Sequence, residues 1–134
     1  MKLSPKKTPF RVLLGTRGEM LACDYLCKQG YQILEKNFRC KMGEMDAIAE
    51  KAGRLRFIEI KTRSGPGFGR PEESVHPLKQ KKLTKLAMWY LKEKKISETS
   101  ISFDVLAVEW SPSAKPVFTL IEDAFEASPN DWAM

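Results

Sequence analysis

Two apolar segments, Met45–Glu50 and Leu55–Thr62, flank the tetrapeptide Lys51-Ala52-Gly53-Arg54, and no other stretch constrains the fold as much. Each segment has the length and patterning of a strand, and the polar, glycine-containing connection reads as a turn. A hairpin is the expected result. If its loop closes symmetrically, Glu50 faces Leu55, Asp46 faces Glu59 and Glu44 faces Lys61. Directly opposed residues share a face, with Cβ atoms roughly 5 Å apart. Along the second strand Glu59 and Lys61 project to one side, and Ile58 and Ile60 to the other. Asp46, Glu59 and Lys61 therefore converge. The inference rests on register, because a slip of one residue would send the aspartate to the opposite face.

Two neighbouring carboxylates repel when both are ionised, and a cation between them offsets that cost. Hard oxygen donors favour Mg²⁺ or Mn²⁺ over zinc. An ion held there would bind a scissile phosphate, lower the pKa of a water and stabilise the departing oxygen, with Lys61 positioning the water or balancing charge on the phosphate. The competing explanation is an ordinary cross-strand ion pair, which is common and worth little. Arg56-Phe57-Ile58-Glu59-Ile60-Lys61 argues against it, since the carboxylate is flanked by apolar residues where a charge needs a partner or a function.

The chain has 134 residues, which suits one compact domain able to bury a core without disulfides or a structural metal. Lys and Arg number 23 against 17 Asp and Glu, a formal net charge of +6, so a polyanionic partner fits the composition. Cys23, Cys27 and Cys40 lack the Cys-x-x-Cys spacing of zinc or redox sites. They read as reduced thiols with packing roles, and the single His76 is distant from them in sequence. The longest apolar run near the N-terminus, Val12-Leu13-Leu14, is too short for an export signal or a membrane span, so a cytoplasmic location is expected.

Residues 1–12 are expected to form a flexible basic arm containing Pro5 and Pro9, residues 13–127 a single domain, and residues 128–134 a tail. A helix is expected from about Gly15 to Gln29, with Leu21, Ala22, Tyr25 and Leu26 at helical spacing and Gly30 as its stop. Glu19 lies three residues before Ala22 and seven before Leu26, so it points toward the apolar side of that helix. An additional metal or water ligand is one role for it; favourable placement near the helix N-terminus is the plainer one. Tyr31–Phe38 reads as a strand. Ser64–His76, rich in glycine and proline, reads as a mobile substrate loop. Pro77 opens a second helix reaching about Lys95, with Leu83, Leu86, Ala87, Tyr90 and Leu91 as its apolar stripe. Its other face carries Lys79, Lys81, Lys82, Lys85, Lys92, Lys94 and Lys95, which read equally well as phosphate contacts or as a solvated surface. Ile101–Trp110 and Val117–Ile121 complete the strands. The expected architecture is α/β, a mixed sheet flanked by helices.

Several ordered blocks resemble a known family. Arg17-Gly18-Glu19, Gly30-Tyr31, Asn37-Phe38-Arg39, Gly43-Glu44-Met45-Asp46, Phe57-Ile58-Glu59-Ile60-Lys61-Thr62-Arg63, Phe68-Gly69, Lys79 and Phe103-Asp104-Val105 together resemble the YraN-type family of small bacterial proteins. The resemblance implies a fold similar to restriction endonucleases and archaeal Holliday-junction resolvases, with the motif PD-(D/E)xK. It implies that Asp46 and Glu59 are ligands for Mg²⁺ or Mn²⁺, that Lys61 is the catalytic lysine, and that Glu19 is the helix-borne acid completing such a site. Glu44 beside the ligands and Arg63 after the lysine also match, the latter as a phosphate contact; Lys79, Lys82 and Lys85 of the lysine-rich helix face are the further candidate phosphate contacts. Ser102 departs from the pattern, standing where arginine commonly precedes Phe-Asp-Val. The expected partner is DNA, branched or single-stranded by analogy, bound by a monomer or homodimer. A DNA-binding or recombination-accessory module without turnover is the alternative.

Overall fold

The computed structural model describes residues 10–63, 75–111 and 114–127. The elements follow the order α1 (Phe10–Lys28), β1 (Gln32–Cys40), β2 (Gly43–Lys51), β3 (Arg54–Arg63), α2 (Pro77–Glu93), β4 (Ser100–Ser111) and β5 (Ala114–Phe125). The five strands form one sheet in sequence order. All neighbours are antiparallel except β3 and β4, which run parallel on either side of α2 in the chain. The sheet is therefore mixed, as the strand and helix order implied. Residues 1–9 of the expected arm, residues 64–74 of the expected loop, and the 128–134 tail lie outside the described residues.

Helix α1 starts at Phe10, five residues earlier than the apolar spacing indicated. Nothing after Pro9 breaks a helix before Gly15, and a proline just outside a helix start is compatible with it. The hairpin register is the expected one where the ladder runs, with Glu50 paired to Leu55 and Ala47 to Ile58. Its turn is tighter than a four-residue loop. Lys51 pairs with Arg54, and both central residues have positive φ, 53° at Ala52 and 73° at Gly53, the requirement of a two-residue turn that matches strand twist.

The sheet buries both faces. Met45, Ile48, Phe57, Leu86, Tyr90 and Phe103 pack on the α2 side, while Ala22, Leu26, Ala47, Ile58, Leu106 and Val108 pack on the α1 side. The central strands β3 and β4 supply residues to both, which is why they read as almost continuous apolar runs. The stripe expected on α2 is the buried one, with Leu83, Leu86, Ala87 and Tyr90 inside. Gly18 fixes how closely α1 lies on β3, since a Cβ there would come 2.9 Å from the Cβ of Thr62. Glycine costs a helix about 1 kcal/mol relative to alanine, so its place here reflects that close crossing.

A second set of charges is buried in the sheet. Asp104, 1% exposed, accepts hydrogen bonds from Tyr31 Oη at 2.8 Å, from the backbone N–H of Asp123 at 3.0 Å and from the Ser102 hydroxyl. Arg56 Nη1 lies 3.3 Å from the same carboxylate and 3.1 Å from Glu122 Oε1. Ser102, the departure from the expected arginine, thus sits in a site where Arg56 of the neighbouring strand supplies the cation. Burial and then the bond to Asp104 push the Tyr31 hydroxyl well above its usual range, so it stays a donor. Among the described residues no helix is long and apolar enough to cross a membrane, and Cys23, Cys27 and Cys40 are free thiols.

Candidate active site

The β2–β3 ladder runs from Lys51 paired with Arg54 to Ala47 paired with Ile58, and β2 continues beside β1 as far as Gly43 paired with Cys40. Face alternation also breaks at this point, because Met45 joins the α2-side core whereas Ala47 joins the α1-side core. Asp46 sits at that break. Its Oδ2 accepts the backbone N–H of Ile60 at 2.7 Å, replacing a ladder bond with a side-chain one. Asp46 consequently lines two cavities. One, of about 270 Å³ on the α2 side, includes Gly43, Glu44, Glu59, Lys79 and Lys82. The other, about 180 Å³ on the α1 side, includes Glu19, Lys36, Asn37 and Ile60.

Glu59 follows from β3 alternation, on the same side as Phe57, and is only 7% exposed. Its Oε2 lies 3.4 Å from Lys61 Nζ and is also bonded by Lys79 Nζ from the first turn of α2. Asp46 and Glu59 lie within hydrogen-bonding reach of each other. Burial, aided by the nearby Glu59 and Glu19 charges and opposed by the Ile60 N–H, pushes the Asp46 carboxyl up to about 6. Burial lowers the Lys79 ammonium's proton affinity, but the bond to Glu59 and its charge outweigh this, leaving it above its usual value.

The structure thus brings together Asp46, Glu59 and Lys61, the three groups the hairpin spacing placed together, and adds Lys79. Glu19 reaches Asp46 from the other side. It lines the α1-side cavity and its charge acts on Asp46, while Glu59 lies on the α2 side. Among the described residues no three His, Cys, Asp or Glu side chains are grouped closely enough to hold a metal ion. A cation entering between the strands would meet the pair Asp46 and Glu59. Two oxygen ligands suit Mg²⁺ or Mn²⁺, which commonly bind through one or two carboxylates and keep several waters. Glu44, counted opposite Lys61, pairs instead with Arg39 of β1, at 2.6 Å from its Nε. Arg63 is half-buried at the end of β3, and Lys82 and Lys85 are exposed on α2.

Lys36 and Asn37 were not singled out as site residues by sequence. Asn37 lies between the pairs Lys36–Ala47 and Phe38–Met45, directly across from Asp46, and has φ of 51°. Asparagine tolerates that left-handed conformation better than most residues. An asparagine inside a strand was the available signal.

Residues 18–108 match the sequence profile of the family described as Uncharacterised protein family UPF0102. The chain belongs to this family. UPF0102 proteins of Geotalea daltonii and Geobacter sulfurreducens are 42% and 40% identical over 113 and 114 residues, covering 84% and 85% of this chain and 89% of each relative. The UPF0102 protein of Thermodesulfovibrio yellowstonii is 49% identical over 98 residues, 73% of this chain and 87% of that protein. The UPF0102 match contains Glu19, Asp46, Glu59, Lys61 and Lys79. Among solved structures, SfsA from Pyrococcus furiosus in complex with Ca²⁺ aligns with 81% of this chain and 62% of its own, at 16% identity and a TM-score of 0.39. That likeness is too distant to carry an assignment.

Proposed function

We propose that this protein is a divalent-cation-dependent nuclease that hydrolyses phosphodiester bonds in DNA, with branched or single-stranded DNA as its preferred substrate. The observation that carries this reading is the break in the β2–β3 ladder, where the Asp46 and Glu59 carboxylates meet with Lys61 Nζ 3.4 Å from Glu59. Two carboxylates held that close can share a divalent cation, and an amine beside them suits a phosphate. The resemblance of these blocks to the YraN-type family and its PD-(D/E)xK motif supports the same chemistry.

Asp46 and Glu59 would hold Mg²⁺ or Mn²⁺. Such an ion, when bound, supplies charge stabilisation at the phosphate and makes water easier to deprotonate. Lys61 orients the attacking water or balances the phosphate charge. The bond from Ile60 N–H fixes Asp46 Oδ2 and with it the direction of the carboxylate. Glu19, on the far side of Asp46, is placed to bind a water in the α1-side cavity. Arg63, Lys82 and Lys85 contact flanking phosphates, which position the strand without reading its sequence.

One observation favours the second reading, a DNA-binding or recombination-accessory module that turns over nothing: Glu59 is already paired with two lysines. Cleavage of labelled single-stranded, duplex and four-way-junction DNA with Mn²⁺ or Mg²⁺ separates the two. A nuclease cuts as the native protein and fails as Glu59→Ala and Lys61→Ala. Equal cutting by all three means a contaminant, and metal-dependent binding without cutting supports the accessory module.

A further inference from the structure

Lys79 differs from every other lysine of α2. It is the third residue of the helix, after Pro77 and Leu78, and α2 has no acidic residue in its first turn and no side-chain cap. A cation at that end works against the helix macrodipole. Lys81, Lys82 and Lys85 are exposed, whereas the Lys79 side chain is 31% exposed and its ammonium is bonded to Glu59 Oε2. Lys61 lies against the same oxygen. The two ammonium groups therefore match the charge of the Asp46–Glu59 pair. A divalent cation entering this arrangement would add two positive charges beside the two ammonium groups, and would compete with Lys79 for the oxygen it needs.

We propose that Lys79 is a placeholder cation that holds Glu59 until a divalent metal and a nucleic-acid phosphate arrive together, and then swings its ammonium from Glu59 to an ion pair with that phosphate. This rests on the Asp46–Glu59 pair being a metal site. The placement supports both halves of the exchange. Lys79 and Lys82 line the same α2-side cavity as Asp46 and Glu59, so an ammonium leaving Glu59 remains within the space a phosphate would enter. The phosphate offsets the charge that the metal adds. Metal affinity is consequently low in the free protein and rises when DNA is bound, and by reciprocity the metal strengthens DNA binding. The contact keeps Glu59 compensated between these events, since a buried carboxylate without a partner is costly.

The test is Mn²⁺ affinity, read from the free-ion electron paramagnetic resonance signal, for the native protein, Lys79→Met and Lys115→Met. Lys115→Met removes one charge from β5, which contributes no residue to the site. Removing a like charge beside the ligands should tighten Mn²⁺ binding by about tenfold or more in Lys79→Met. Lys115→Met should bind as the native protein does. In the presence of Ca²⁺, Lys79→Met should also gain less DNA affinity from the metal than the native protein gains. Native-like or weaker Mn²⁺ affinity in Lys79→Met overturns the placeholder role. The variant Lys79→Met with Glu59→Gln separates that failure from a failure of the site itself. Mn²⁺ binding that survives Glu59→Gln, or that is absent throughout, overturns the metal site as well.

Discussion

Replacing Asp46 by asparagine should make the protein more stable at neutral pH while removing one of the two carboxylates of the proposed cation site. The side chain keeps an oxygen for the Ile60 N–H, 2.7 Å away, and loses the charge that burial, Glu59 and Glu19 oppose. The native carboxyl moves from 3.8 to about 6 on folding. The folded chain therefore holds this proton more tightly than the unfolded chain does. Stability is unaffected by the group below pH 3.8, falls as pH rises toward 6, and carries the whole penalty above that value. A displacement from 3.8 to about 6 corresponds to about 3 kcal/mol. Asparagine recovers less than this, because its amide must also be desolvated. A gain of about 1–3 kcal/mol is expected above pH 6, or about 3–4 °C in Tm per kcal/mol for a chain of this size. Urea unfolding of both proteins across a pH series is the assay. The advantage should shrink as pH falls through 6 and vanish below 3.8. A variant less stable than the native protein at neutral pH, or an advantage independent of pH, refutes the reasoning.

Other perturbations have equally definite outcomes. Gly18→Ala forces a Cβ toward Thr62 and should cost about 1–3 kcal/mol by overpacking, measured by urea unfolding; an unchanged midpoint would mean α1 shifts freely on β3. Asp104→Ala takes from Arg56 the buried one of its two carboxylate partners, leaving only the half-exposed Glu122, and should cost about 3–5 kcal/mol, again by urea unfolding. Lys82→Ala and Lys85→Ala should each weaken DNA binding evenly across sequences and lower the slope of log affinity against log salt by about 1, checked by fluorescence anisotropy over a salt series.

Much of this geometry was legible because strand periodicity and turn chemistry are local. The polar tetrapeptide Lys51-Ala52-Gly53-Arg54 between two apolar runs marked the hairpin, and the register counted from it placed Asp46 near Glu59. What the pattern could not contain was the end of the ladder. Counting assumes that pairing continues, whereas β2 leaves β3 beyond Ala47 and hands Glu44 to Arg39 across β1. That departure depends on Asn37, Asp46 and Ile60, which are far apart in sequence and act through tertiary contact. Lys79 was visible as one of many lysines on a helix. Only the packing of α2 against β2 distinguishes it from Lys82 and Lys85 by turning it onto Glu59. The role of Arg56 was hidden for a similar reason, since its partners Asp104 and Glu122 belong to strands later in the chain.

The central claim is that Asp46 and Glu59 together hold a divalent cation, and anomalous diffraction from crystals of the protein with a single-stranded oligonucleotide, soaked in saturating MnCl₂, tests it most directly. The account predicts a manganese peak between the two carboxylates, with Lys79 moved off Glu59, and no such peak in Glu59→Gln crystals. A native structure in which Lys79 still covers Glu59 and manganese is absent from the pair would contradict it.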